Sequence, residues 1–194
     1  MDTTIRSMDC LSNETQEEIA MIFSNSFYSL YKSFAKDEHQ LAKVLKGSFQ
    51  ANWLVAYKNN EPIGLLSYSD NQNRAICLNK KTIRKELGLI KGSIVYSILS
   101  KEFHQPLNYA DDVGYIEFIA TLPEARGQKV AQRLITHLFD QKKYSKYILE
   151  VGDTNEIAVN LYKKMGFKEF ERKVDMNSKQ TGFNERIYME NSPY

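Results

Sequence analysis

Apolar positions along the chain fall into blocks whose period changes, and each change marks an element. Ile19, Ile22, Phe23, Phe27, Leu30, Tyr31 and Phe34 recur at three- and four-residue intervals, the spacing of one helix face. Asn13 and Gln16 have the spacing of a capping box and predict where this first helix starts. A second helix is predicted from Asp37, with Gln40 three residues on, Leu41, Val44 and Leu45 turned inward and Gly47 as its stop. Before them, residues 3–8 predict a short strand with Thr4 and Arg6 on one face and Ile5 on the other. The β-branched and aromatic runs 53–57 and 63–68, joined by Lys58-Asn59-Asn60-Glu61-Pro62, predict an antiparallel hairpin.

Between residues 71 and 114 the pattern loosens. It predicts a short strand at 75–78, a Lys/Arg-rich helix at 80–87, and a helix with Ile94, Val95, Ile98 and Leu99 on one side, with Gly88 and Gly92 as breaks. A strand from Tyr115 then leads through Pro123 into a helix whose apolar face is Ala131, Leu134, Ile135, Leu138 and Phe139. Residues 147–151 read as a buried strand, and strand, helix, strand in this order predicts a right-handed parallel crossover. Asn155 opens another helix, with Ala158, Leu161, Tyr162 and Met165 on one side and Gly166 as its end; strands at 167–171 and 186–190 follow. The elements add up to an α/β fold with a mixed, mostly antiparallel sheet.

Composition narrows the function classes. A length of 194 residues with 42% hydrophobic and 26% charged residues predicts one ordinary globular domain. The net charge is +2, with Lys and Arg interspersed among Asp and Glu, so no nucleic-acid-binding surface is expected. Cys10 and Cys77 are too few for a disulfide framework, and His39, His104 and His137 stand alone, so no metal is expected. The start lacks a signal peptide's apolar run, and no stretch reaches the roughly 20 apolar residues of a membrane span, which predicts a cytoplasmic protein without membrane contact.

The candidate chemistry begins at Arg126-Gly127-Gln128-Lys129-Val130-Ala131, a turn that opens a helix. The N–H groups that open a helix have no intrahelical acceptor, the helix dipole adds partial positive charge, and Arg126 and Lys129 add full charges, so a diphosphate is the natural guest. Glu117 interrupts an apolar strand just upstream and is either a general base or a solvent-facing strand residue; Asp111 and Asp112 are second candidates. Tyr28, Tyr31 and Phe34 either line a cleft or belong to the core.

The run Ala120-Thr121-Leu122-Pro123-Glu124-Ala125-Arg126-Gly127-Gln128-Lys129-Val130-Ala131 resembles the acetyl-CoA-binding signature of the GCN5-related N-acetyltransferase (GNAT) family. Asn155, Ala158, Tyr162 and Gly166-Phe167 are similar, at the right spacing, to its second signature. One position departs: Lys129 stands where the family usually has its first glycine, while Ala131 keeps the second small residue. The resemblance covers about residues 115–170 and implies a GNAT-like acyl-CoA N-acyltransferase fold in which residues 71–114 are an insertion. It implies a sheet splayed at a bulge, so that Ile119, Ala120 and Thr121 offer free backbone groups to the pantetheine arm. The diphosphate falls to Arg126, Gly127, Gln128, Lys129, Val130 and Ala131, and Asn155 and Ala158 lie along the CoA arm. Tyr162 is implied as general acid beside the thioester sulfur, with Glu117 as the candidate base. The implied activity is direct transfer of acetyl from acetyl-CoA to a primary amine, on a small molecule or a protein, by a fold that often dimerises. The alternative is a CoA-binding sensor of the same fold that has lost turnover. A nucleotide-binding regulator lacks any dinucleotide or phosphate-loop motif.

Overall fold

The computed structural model describes residues 3–8 and 12–194; Cys10 lies outside the described residues. Strands β1 (Thr4–Ser7), β2 (Trp53–Lys58), β3 (Glu61–Ser69), β4 (Val113–Thr121), β5 (Lys146–Gly152), β6 (Lys168–Val174) and β7 (Glu185–Asn191) form one sheet in the order β1-β2-β3-β4-β5-β7-β6. The pair β4–β5 is parallel and every other neighbouring pair is antiparallel. The helices are α1 (Asn13–Tyr31), α2 (Glu38–Leu45), α3 (Lys80–Leu87), α4 (Leu89–Phe103), α5 (Val130–Asp140), α6 (Glu156–Lys164) and the short α7 (Ser178–Thr181). Among the described residues no helix is long and apolar enough to cross a membrane.

Strand alternation divides the core into two layers. Trp53, Val55, Leu65, Phe118 and Ala120 face one side and pack with α1, α2, α3 and α4. Leu54, Ala56, Leu66, Ile116, Leu149 and Val151 face the other and pack with α5 and α6. The β2–β3 hairpin closes on Asn59 and Asn60, with φ of 54° and 62°; asparagine enters this left-handed region at little cost because its amide bonds locally. Gly64, opposite Ala56 a few residues past that turn, sets a close approach: a Cβ there would stand 2.7 Å from the Ala120 carbonyl oxygen and 2.9 Å from Val130 Cγ1. Its bareness lets the start of α5 lie against β3 and β4. Gly64→Val is therefore expected to cost about 1–3 kcal/mol of overpacking, read from the midpoint of a denaturant melt.

Several sequence expectations are corrected. The cap of α1 is Ser12, whose hydroxyl accepts from the Thr15 N–H at 3.2 Å, and Gln16 instead donates to the Phe49 carbonyl at 2.7 Å. Leu30 turns outward and Phe34 lies beyond the helix end, because α1 stops at Tyr31. On α4 the inward stripe is Gly92, Val95, Leu99 and Phe103, whereas Ile94 and Ile98 are 56% and 48% exposed. A one-residue offset on a helix is about 100°, so the expected pairing of 94 with 95 mixed two faces. Residues 75–78 contribute a single bridge, Phe49 to Ile76, instead of a strand. Helix α7 was unforeseen because Ser-Lys-Gln-Thr has no apolar period.

Candidate active site

Strands β4 and β5 pair over four residues, Val113 with Lys146 through Ile116 with Leu149. On its other edge β4 pairs with β3, and there the register shifts: Ser67 faces Phe118 but Tyr68 faces Ile116, so Glu117 is an extra residue in β4. A bulge bends its strand and sharpens the local twist. Beyond it Ile119, Ala120 and Thr121 stay paired with Leu66, Leu65 and Gly64 while pairing with β5 has ended. Backbone groups of this stretch that point away from β3 therefore face an opening between the strands.

The turn below that opening is built from backbone conformation. A 3-10 turn at Pro123–Ala125 leads to Arg126, then Gly127 takes φ of 77° and Lys129 takes φ of 61° and ψ of 25° before α5 begins at Val130. No side chain caps α5, so the N–H groups of Val130, Ala131 and Gln132 lack intrahelical acceptors. Gln128 is engaged within the turn, accepting from Lys58 Nζ at 2.7 Å and donating to the Glu124 carbonyl at 3.0 Å. Arg126 and Lys129 are exposed. The positive φ at Lys129 explains why glycine is usual here and costs a lysine about 1–2 kcal/mol.

Asn155 caps α6, its side chain accepting from the Ala158 N–H at 3.2 Å, and Gly166 ends the helix region with φ of 91°. Tyr162 is 9% exposed, packs edge-on to Phe167 at 5.9 Å, and shares its core layer with Ile119 of β4. Burial pushes its hydroxyl up to about 12, so it holds its proton at neutral pH and can donate it.

Glu117 is neither solvent-facing nor free. Its side chain is 4% exposed, and Oε1 accepts from Arg74 through Nε at 2.8 Å and through Nη2. Arg74 also donates to the Gln105 carbonyl at 2.5 Å, tying the 71–114 segment to the bulge. Oε2 of Glu117 is buried, and the Ser69 hydroxyl and the Ala75 N–H lie beside the carboxylate. Burial raises the proton affinity of this carboxylate and Arg74 opposes the rise.

The remaining candidates separate. Asp111 and Asp112 are exposed at the opposite end of β4, where the Asp112 carbonyl accepts from the Ser145 N–H at 3.0 Å. Tyr28 donates to the Lys36 carbonyl at 2.7 Å and holds the α1–α2 connection, and Phe34 packs against the core. Tyr31 instead meets Glu102 at 3.3 Å. Arg74, Glu102, Glu150 and Arg186 escaped the sequence reading. Glu150 carries the same signal as Glu117, a carboxylate breaking an apolar strand.

Comparison with known proteins agrees with this geometry. No curated protein matches the sequence. A structure titled N-acetyltransferase from Staphylococcus aureus Mu50 superposes with a TM-score of 0.65 at 21% identity, over 97% of this chain and 100% of that one. The ribosomal-protein-S18-alanine N-acetyltransferase from Escherichia coli superposes with a TM-score of 0.58 at 16% identity, over 97% and 92%. A chain of the NatC complex bound to Gag peptide and CoA does so with a TM-score of 0.60 at 17% identity, over 100% of both. At these identities the likeness concerns the fold. The sequence model of the acetyltransferase (GNAT) family matches residues 17–167, most of the chain, and with the bulged β4, the turn before α5 and the second signature on α6 it places this protein in that family.

Proposed function

We propose that the protein transfers the acetyl group of acetyl-CoA directly to a primary amine. The observation that carries this reading is the bulge at Glu117, which opens β4 from β5 directly upstream of the uncapped start of α5. In this reading the N–H groups at the start of α5, with Arg126 and Lys129, bind the diphosphate. Free backbone groups of Ile119, Ala120 and Thr121 pair with the amide-like pantetheine arm, and the Asn155–Ala158 turn flanks it. Glu117 takes the ammonium proton on its carboxylate, whose Oε1 is held by Arg74. The amine nitrogen then attacks the thioester carbonyl; its bond to carbon forms as the carbon–sulfur bond breaks. Tyr162 gives its proton to the departing thiolate and is reprotonated, through solvent, as the acetylated nitrogen loses its second proton.

A CoA-binding sensor is favoured by one observation, the tight engagement of Glu117 by Arg74. Both readings require CoA to bind. At one hundred times its dissociation constant acetyl-CoA adds about 2.7 kcal/mol, roughly 5 to 11 °C in melting temperature for a chain of this size. No shift at millimolar acetyl-CoA would sink both.

Lys129 separates charge from backbone. Lys129→Gly relieves the positive φ and Lys129→Ala keeps it, yet both remove the ammonium. If that ammonium meets a phosphate, both variants weaken CoA and the losses shrink as salt rises. Losses that ignore salt would place the ammonium elsewhere.

A further inference from the structure

Helices α3 and α4 form a hairpin with an inner face that is closed and an outer face that is open. Gly92 is where the two helices meet: a Cβ there would stand 2.7 Å from Arg84 Cα. Across the same contact Arg84 Nε donates to Ser93 Oγ at 2.8 Å. Val95, Leu99 and Phe103 of α4, with Ile83 of α3, are buried in the core layer that carries α1. At about 100° per residue, Ile90, Ile94 and Ile98 lie on the opposite side of α4. Ile90 is 81% exposed, and Leu89 beside it in the first turn is 74% exposed. Of the ten exposed large hydrophobic residues among those described, four thus lie on this one helix, a clustering that singly scattered surface residues do not show.

The charge around this stripe is of one sign. Lys80, Lys81, Arg84 and Lys85 on α3 and Lys91 and Lys101 on α4 are all exposed. Among the described residues none of the six is in an ion pair. Six cations against the two carboxylates of Glu86 and Glu102 give these helices +4 in a chain whose net charge is +2, so the rest of the chain carries −2. Lys91 follows Ile90, and Lys101 continues the stripe three residues after Ile98. Lys80 lies over the Tyr96 ring at 5.1 Å, which places the α3 cations alongside α4. At the Leu89 end no side chain caps α4, and the N–H groups that open the helix lack intrahelical acceptors.

We propose that the outer face of α4 docks on an anionic lipid bilayer, with Leu89, Ile90, Ile94 and Ile98 at the boundary of headgroups and acyl chains and the cations of α3 and α4 at lipid phosphates. Long basic stems lie along apolar surface and carry their charge out to the headgroup level, so one surface answers both the stripe and its rim. Charge and composition select this occupant. A second copy meeting the patch on a two-fold axis would bring six cations against the same six. Protein partners are met at faces enriched in aromatic residues and depleted of lysine, whereas this one carries leucine and isoleucine ringed by five lysines. The expectation of no membrane contact rests on the lack of a spanning stretch, and lying on a surface needs none. Docking uses none of the residues assigned to acetyl transfer.

The test is flotation of the protein with lipid vesicles. Vesicles of equal parts phosphatidylglycerol and phosphatidylcholine are expected to bind it at least about tenfold more tightly than phosphatidylcholine alone at low salt, and the difference to shrink as salt rises. Ile94→Ser combined with Ile98→Ser should abolish flotation, and Lys91→Ala combined with Lys101→Ala should remove most of the preference for anionic vesicles. All four positions are exposed, so both variants should melt with the parent. The chain's one tryptophan, Trp53, is fully buried, so Ile94→Trp adds a reporter on the face itself. Its added emission should shift to the blue on anionic vesicles and be quenched by brominated acyl chains. No flotation with anionic vesicles, flotation that survives the loss of both isoleucines, equal binding to the two kinds of vesicle, or an Ile94→Trp emission that vesicles leave unchanged would each overturn the proposal. A dimer in light scattering that Ile94→Ser dissolves would overturn it too, by assigning the face to a second copy.

Discussion

Replacing Tyr162 by phenylalanine is expected to lower the turnover number of acetyl transfer by about 10²- to 10⁴-fold, the usual worth of general acid assistance. The substitution keeps the ring that packs on Phe167 at 5.9 Å and removes one oxygen. Among the described residues that oxygen makes no hydrogen bond, and burial alone accounts for its raised proton affinity, so folding loses little with it. A hydroxyl that acts on sulfur as the thioester breaks belongs to the transition state. The turnover number falls, therefore, while the Michaelis constant for acetyl-CoA stays near its original value. A rise in that constant alone would make Tyr162 a binding residue. Unchanged turnover in a variant of equal melting temperature would leave it a packing residue.

Arg74→Met carries the second large effect, this time on stability. The variant keeps much of the side chain's length but strips the partner from a carboxylate that is 4% exposed. Breaking one half of a buried pair costs about 3–5 kcal/mol, toward the lower figure here because Arg74 is itself partly open to water. For a chain of this size that corresponds to roughly 6 to 20 °C in melting temperature. The sign of its pH dependence follows from Glu117. Burial raises the folded-state affinity of this carboxyl for a proton, and removing Arg74 raises it further. A carboxyl raised in the folded state contributes its stability below the unfolded value of about 4.3 and loses it as pH rises through the folded value. The deficit of Arg74→Met against the parent should thus be small near pH 5 and grow toward pH 8. A deficit constant across that range would mean that Arg74 acts through its carbonyl contacts at residues 102 and 105 and not through Glu117.

The parts of this fold that were legible in the sequence are those where one local rule suffices. The parallel crossover, the caps at Asp37 and Asn155 and the Asn59-Asn60 hairpin each follow from a few adjacent residues. The two signatures located the turn before α5 and the position of Tyr162 for the same reason. What stayed hidden depends on residues far apart in the chain. Arg74 meets Glu117 across 43 positions, and Arg186 meets Glu150 across 36, so no local pattern announces either pair. The bulge is also non-local: one more residue in β4 than in β3 becomes visible once the two strands are in register. On α4 periodicity itself misled, since Ile94 and Ile98 are as apolar as the buried Val95 and Leu99 and composition does not say which stripe faces the core.

The stoichiometry of thiol release, when the protein meets acetyl-CoA and a panel of primary amines, separates an acetyltransferase from a CoA sensor. Free CoA is counted with a thiol reagent, and the acetylated amine is counted by mass in the same sample. One acetylated amine is expected for each thiol released with at least one amine of the panel, and release is expected to fall by about 10²-fold or more in Tyr162→Phe. Acetyl-CoA that raises the melting temperature, with no acetylated product from any amine, would contradict the assignment as an enzyme and leave the sensor.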